Sequence, residues 1–174
     1  MKYQIDQSGK VEQTEKNTVI ACTNGKTVAV ILLAKDKRRL QETFRRIGMP
    51  QLFIDTVFSV CLYLLTKQLS ISKIEVDTEY PSHTKIIEKM IGQLSGEKVI
   101  INWIRVGKSS KAHDIAYKIY KKKIILGKKI TAEAVWREAK KLAGGHLKTG
   151  LSPANRRSAP AIGHNLSKKK GKVK

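Results

Sequence analysis

Residues 49–81 constrain the fold of this chain more than any other stretch. Pro50, a residue favoured in the first turn of a helix, precedes a nearly continuous apolar segment at 52–65. The apolar side chains cover more than one helical face, which is typical of a helix buried against a sheet. Isoleucine and valine then alternate with polar residues at 71–77, and this alternation predicts a strand. The stretch therefore predicts a buried helix followed by a buried strand.

Two carboxylates lie inside this apolar unit. Asp55 is near the start of the predicted helix, and Asp77 is near the end of the predicted strand. A helix and the strand that follows it run in opposite directions with comparable lengths, so both aspartates are expected at the same end of the unit. Buried carboxylates that lie close together repel each other unless a proton or a cation lies between them. The pair therefore favours a divalent metal ion.

The rest of the chain adds further strands and helices to this unit. Alternating apolar residues and the hairpin signal Asn24-Gly25 predict three antiparallel strands before it. The predicted strands are residues 3–10, 18–23, 27–33, 71–77 and a buried strand at 98–106, and the predicted helices are residues 35–47, 52–69, 84–94, 112–121 and 131–143. Strands that alternate with helices after a three-stranded meander predict an α/β fold whose last crossovers are right-handed. Its sheet is mixed and five-stranded, with the last two strands parallel to the first.

Charge and composition indicate the class of partner. The chain has 35 Lys and Arg against 14 Asp and Glu, a net charge of +21. Such a balance favours a polyanion, and nucleic acid comes first because no signal peptide or membrane span is predicted. Residues 144–174 contain no acid and are predicted to be a disordered basic tail. Cys22 and Cys61 are isolated in apolar segments, so a cytoplasmic protein with two reduced cysteines is expected.

Four of the five aspartates carry the chemical hypothesis. Asp6, Asp55, Asp77 and Asp114 come from a first strand, a helix start, a later parallel strand and a last helix start. Carboxylate oxygens are the ligands that Mg²⁺ and Mn²⁺ prefer, and two ions about 4 Å apart can stabilise the attacking water and the leaving oxygen. Each aspartate also has a structural explanation, either at a strand end or in a first helical turn. Together they predict a two-metal phosphodiester site.

The element order and these aspartates resemble the ribonuclease H-like superfamily. The resemblance rests on Asp6 in Ile5-Asp-Gln-Ser-Gly9, on Asp55 before Asp77, and on Asp114 in Ala112-His-Asp-Ile-Ala-Tyr117. It implies that Asp6 and Asp77 bridge two Mg²⁺ or Mn²⁺ ions, that Asp55 holds one ion and that Asp114 holds the other. Glu79 is a substitute ligand for Asp55 or Asp114. His113, next to Asp114, is either a stand-in for the histidine of related enzymes or a solvated residue.

The resemblance also implies a domain organisation and a nucleic-acid surface. It predicts a ribonuclease H-like domain at 1–126, a helical extension at 127–143 and the tail at 144–174. The surface that contacts phosphates is expected to include Lys35, Lys37, Arg38, Arg39, Arg45, Arg46, Lys108, Lys111, Lys121, Lys122 and Lys123.

The predicted function is that of a metal-dependent endonuclease. Its substrate is left open among RNA, DNA, an RNA–DNA hybrid and a branched junction, and a junction cutter would require a dimer. Two alternatives stay open: a non-catalytic nucleic-acid-binding protein of the same fold, and a PIN-type nuclease, which the early hairpin disfavours. The chain has no Walker loop, dinucleotide-binding glycine motif, zinc pattern or serine elbow, so those chemistries have no support.

Overall fold

The computed structural model describes residues 3–105 and 110–142. The predicted tail and Lys108 lie outside the described residues. Short 3-10 turns at Pro50–Leu52 and Pro81–His83 precede the second and third helices. In chain order the strands and helices are β1 (Tyr3–Ser8), β2 (Thr18–Asn24), β3 (Lys26–Leu32), α1 (Ala34–Arg46), α2 (Phe53–Leu69), β4 (Lys73–Asp77), α3 (Thr84–Ser95), β5 (Ile100–Ile104), α4 (Lys111–Tyr120), β6 (Lys128–Ile130) and α5 (Ala132–Leu142).

The strands form one mixed sheet in the order β5-β4-β1-β2-β3-β6, flanked by five described helices. The antiparallel pairing of β1 with β2 and of β2 with β3 confirms the predicted meander. Gly25, with a φ of 72°, makes the tight turn between β2 and β3. The parallel pairing of β4 with β1 and of β5 with β4 is also confirmed.

The two edge strands differ from the prediction. The sheet has six strands rather than five, because β6 pairs in parallel with β3. Only Ile130 of its three residues is buried, so β6 has no alternating apolar pattern in the sequence. The strand predicted as buried at 98–106 is β5, which lies at the other edge, and its Ile100 is exposed. A short apolar run cannot by itself distinguish a central strand from an edge strand.

Helix α2 forms the centre of the core, as predicted. Twelve of its seventeen residues are buried, including Val57, Phe58 and Leu62. They pack in one cluster with Ile5 of β1 and Val76 of β4. By length and composition Pro50–Leu69 is the one candidate membrane span among the described residues, but 67% of its apolar window is buried inside the protein, as in a core helix.

The two faces of the sheet carry different helices. The α2 face also holds α5, whose Val135, Ala139 and Leu142 belong to the same core cluster. The predicted extension at 127–143 therefore comprises β6 and a helix that packs on this core. On the opposite face, Ala116 and Ile119 of α4 pack against small residues of β2 and β3. This second face is the one that carries the candidate site.

Candidate metal centre

Three carboxylates converge where the neighbouring strands β1 and β4 end. These strands are parallel neighbours, and Ile5 pairs with Val76. Asp6 and Asp77 directly follow this pair, and because side chains alternate along a strand, both lie on the face opposite the main core. Glu79 comes two residues after β4. One carboxylate oxygen from each of Asp6, Asp77 and Glu79 lies within 4.8 Å of the other two.

Burial makes this group electrostatically unfavourable by itself. Asp6 is only 2% exposed, and this burial raises the pKa of its carboxyl above the usual value. The backbone N–H of Gln7 and the side chain of His113 oppose the rise, whereas the charge of Asp77 adds to it. The pKa of Glu79 is raised as well, first by burial and then by Asp77 and Asp6, while Lys10 opposes the rise. A cation among these oxygens would offset the repulsion.

A histidine of helix α4 contacts the Asp6 carboxylate. His113 Nδ1 donates to Asp6 Oδ2 over 2.8 Å. The position of the histidine follows from the helix start, because Ser110 is the N-cap of α4 and its side-chain oxygen accepts a hydrogen bond from the His113 backbone N–H at 3.0 Å. Helix α4 thus brings an imidazole to the end of β1, more than one hundred residues away in the chain.

Asp55 has a different histidine partner. It is buried in the first turn of α2, and His83 Nδ1 donates to its Oδ1 over 2.6 Å. Burial raises the pKa of Asp55, and His83 opposes that rise. His83 follows Asp77 by six residues, so this contact links the start of α2 to the segment after β4, while the proximity of Asp55 and Asp77 themselves stays a prediction. The three-carboxylate group found among the described residues does not include Asp55.

Asp114 is also outside that group. Its side chain is exposed on α4, where its Oδ2 accepts a hydrogen bond from Lys118 Nζ at 2.7 Å, one helical turn further on. An ion pair of this kind between residues four apart stabilises an exposed helix by at most about 0.5 kcal/mol. The structure therefore brings together Asp6, Asp77 and the substitute ligand Glu79, whereas Asp55 and Asp114 lie outside this group and contact His83 and Lys118.

The connection between β1 and β2 is fixed beside the carboxylates. Tyr80, next to Glu79, accepts a hydrogen bond from the Val11 N–H and donates one to Glu12 Oε2. Lys37 Nζ donates to the carbonyl oxygens of Lys10 and Gln13 over 2.8 Å each. These bonds hold residues 10–13 against the body of the domain, and Lys10 in turn forms an ion pair with Glu79 at 3.6 Å.

The predicted phosphate-contacting residues divide into two groups. Lys37 is buried and does not belong to the surface. Its Nζ also donates to Thr18 Oγ1. The others in the described ranges are exposed. Three arginines on α1 have partners of their own: Arg38 donates to the Thr14 carbonyl oxygen, and Arg39 and Arg46 pair with Glu133 and Glu42. The exposed members are Lys35, Arg38, Arg39, Arg45, Arg46, Lys111, Lys121, Lys122 and Lys123.

Sequence reasoning missed two contributors to the site. His83 has no motif around it, and only a buried acid in need of a partner at the start of α2 could have suggested it. Tyr80 has no motif around it either. In the structure its ring packs edge-on against Phe58 at 5.1 Å, as in an ordinary core residue, while its hydroxyl forms hydrogen bonds with Val11 and Glu12.

The donor set fits a hard divalent cation. Three carboxylates supply oxygen atoms only, which Mg²⁺ and Mn²⁺ bind in preference to softer ligands. The buried Asp6 provides a carboxylate of fixed orientation, while the half-buried Asp77 and Glu79 leave the group open to solvent on one side. Comparison of the chain with protein-family models, with curated proteins and with solved structures finds no match.

Proposed function

We propose that this chain is a metal-dependent nuclease of ribonuclease H-like fold that hydrolyses phosphodiester bonds in nucleic acid. The observation that carries the proposal is the convergence of Asp6, Asp77 and Glu79 within 4.8 Å at the carboxyl end of two neighbouring parallel strands. Such a convergence is costly without a cation, and the chain spends three of its 14 acidic residues on it.

The topology supports the proposal. The first five strands have the arrangement that the resemblance implies, an antiparallel meander followed by two strands parallel to the first. The last helix of that core, α4, delivers His113 to Asp6. The net charge of +21 supports a polyanionic substrate.

The residues of the chain have distinct proposed roles. Asp6, Asp77 and Glu79 would bind Mg²⁺ or Mn²⁺, which when bound polarises a phosphoryl oxygen and favours the hydroxide form of water. His113 positions the Asp6 carboxylate. Asp55 and Asp114 are the proposed ligands for a second ion, and each would have to exchange its present partner, His83 or Lys118, for the ion. Exposed lysines and arginines would contact phosphates on either side of the site.

A cleavage assay tests the proposal. Purified protein with Mn²⁺ should cut at least one member of a panel of single-stranded RNA and DNA, an RNA–DNA hybrid and a branched junction. Asp77→Asn should reduce the rate by at least about 100-fold, since it removes a ligand whose oxygen the mechanism requires. The matched control is Glu97→Gln, which removes the same charge from an exposed loop. This loop precedes the start of β5, whereas the carboxylate group lies where β1 and β4 end. An uncut panel, or equal rates for both variants, would contradict the proposal.

A non-catalytic nucleic-acid-binding protein of the same fold is the second candidate. The observation that favours it is that the two buried aspartates each have a histidine partner, which can neutralise them without any metal. Calorimetric titration separates the candidates, because a binding protein gives no heat with Mn²⁺ and Asp77→Asn leaves its affinity for nucleic acid unchanged or improved.

A further inference from the structure

A cleft of about 320 Å³ opens directly beside the candidate metal centre. Its walls come from the end of β1 and from the last turn of α4, and it includes Gln7, Gly9, Lys10, Tyr117 and Tyr120. Glu79 lines the cleft and also belongs to the carboxylate group. Whatever occupies the cleft is therefore next to the proposed point of cleavage.

Tyr117 is the exposed aromatic side chain of this cleft. It is the one exposed aromatic side chain in the described part of the chain, at 43% exposure. Its ring stacks with that of His113, with the planes 8° apart and the ring centres 6.4 Å apart. Lys121 Nζ lies over the ring, 5.6 Å from its centre. The exposure of Tyr117 leaves part of its aromatic surface accessible beside a positive charge.

Tyr120 and Gly9 both line the cleft and pack closely against each other. Gly9 has a φ of 76°, and a Cβ on it would lie 3.0 Å from Tyr120 Cε2 and 2.1 Å from the Asn17 carbonyl oxygen. The ring of Tyr120 can therefore lie against the backbone at the end of β1 only because residue 9 has no side chain. The rings of Tyr120 and Tyr117 both line the cleft.

Gln7 lines the same cleft and contains a buried acceptor without a partner. Its side chain is buried, and its Nε2 donates to the Gly9 carbonyl oxygen at 3.0 Å, which fixes the orientation of the amide. Its Oε1 is buried and has no hydrogen-bond partner among the described residues. A buried acceptor without a partner is unfavourable, but this oxygen is closed to solvent, so it identifies a strained polar group at the wall of the cleft rather than a contact for an incoming ligand.

We propose that this cleft binds one unpaired nucleotide of the substrate, with its base stacked on Tyr117. Bases inside a continuous duplex are stacked on both faces, so only an unpaired or extruded base can stack on a side chain. Lys121, together with the adjacent and exposed Lys122 and Lys123, faces the phosphates. The inference rests on the proposed function, and it narrows the substrate to nucleic acid with unpaired residues at the point of cleavage.

Fluorescence quenching of 2-aminopurine tests the inference in EDTA, where no metal-dependent cleavage occurs. Single-stranded RNA and DNA probes, each with one 2-aminopurine, are compared with the same strands in full duplex. The wild type and Tyr117→Phe should quench the unpaired probe. Tyr117→Ala and Tyr117→Leu should abolish quenching and weaken binding about 10-fold to 100-fold, since stacking on one aromatic side chain is worth about 1–3 kcal/mol. Tyr117→Leu keeps apolar bulk and so separates stacking from burial.

The outcomes distinguish this inference from the proposed function. Quenching that depends on Tyr117 in either probe supports the cleft, even if the protein cuts nothing. Asp77→Asn should leave that quenching intact while it abolishes cleavage. Equal quenching by the wild type and Tyr117→Ala, or duplex binding with the same dependence on Tyr117, would overturn the inference and leave the nuclease proposal standing. Because Tyr117 is exposed, unchanged melting temperatures are expected for all its variants.

Discussion

The replacement Asp6→Asn should stabilise the protein without metal, and the variant should gain less stability than the wild type when Mn²⁺ is added. Asparagine has nearly the same shape as aspartate, and its Oδ1 can still accept a hydrogen bond from the Gln7 N–H or from His113. The change removes a buried charge whose carboxyl has a raised pKa, which means that the folded state disfavours its ionised form. It also removes the repulsion from Asp77 and Glu79.

The magnitude follows from the geometry. At 4.8 Å, two unit charges repel by about 1 kcal/mol in bulk water and by about 3 kcal/mol at the effective dielectric constant of about 20 near a protein surface. Because Asp77 and Glu79 are only half-buried, we expect a net gain of about 1–3 kcal/mol in EDTA. For a domain of this size, 1 kcal/mol corresponds to about 2–4 °C in melting temperature.

Metal should reduce the difference in stability between the two proteins. At a Mn²⁺ concentration about 100 times the dissociation constant, binding stabilises the wild type by about 2.7 kcal/mol, while Asp6→Asn has lost a ligand and gains less. Thermal unfolding followed by circular dichroism in EDTA and in Mn²⁺ measures both effects, with Glu97→Gln as the charge control. A lower melting temperature for Asp6→Asn in EDTA, or an equal rise with Mn²⁺ for both proteins, would refute the reasoning.

Three further predictions concern the neighbours of the carboxylate group. Burial lowers the pKa of Lys37 from 10.5 to about 8. Between these pH values the unfolded chain binds more protons than the folded chain, so the free energy of unfolding should rise with pH across that window. Urea denaturation should show this rise for the wild type and not for Lys37→Met. His113→Ala should weaken Mn²⁺ binding about 10-fold to 100-fold, measured by calorimetry, and His113→Gln should restore part of the loss; unchanged affinity would exclude a positioning role. Asp55→Asn and Asp114→Asn should each reduce the Mn²⁺ stoichiometry from two ions to one if these residues hold the second ion, whereas an unchanged stoichiometry would assign both ions to the three-carboxylate group.

The features predicted correctly from sequence are those that depend on local pattern. The apolar run at 52–65 identifies α2, Asn24-Gly25 identifies the hairpin, and the chain order places β4 parallel to β1. Because the ends of neighbouring parallel strands meet, the proximity of Asp6 and Asp77 could be predicted as well.

The features that sequence reasoning missed depend on tertiary contacts. β6 forms because β3 offers a free edge, which a stretch with two lysines in three residues does not reveal. Lys37 resembles its exposed basic neighbours, and only the fold of residues 10–18 supplies the acceptors that bury it. The partners of Asp55 and Asp114 likewise depend on where His83 and Lys118 lie in space.

Anomalous diffraction from a crystal grown with Mn²⁺ tests the central claim most directly. The proposal predicts an anomalous peak about 2.0–2.3 Å from carboxylate oxygens of Asp6, Asp77 and Glu79, and its loss from crystals of Asp77→Asn. Data that show these three side chains ordered, with no peak between them at a saturating Mn²⁺ concentration, would contradict it.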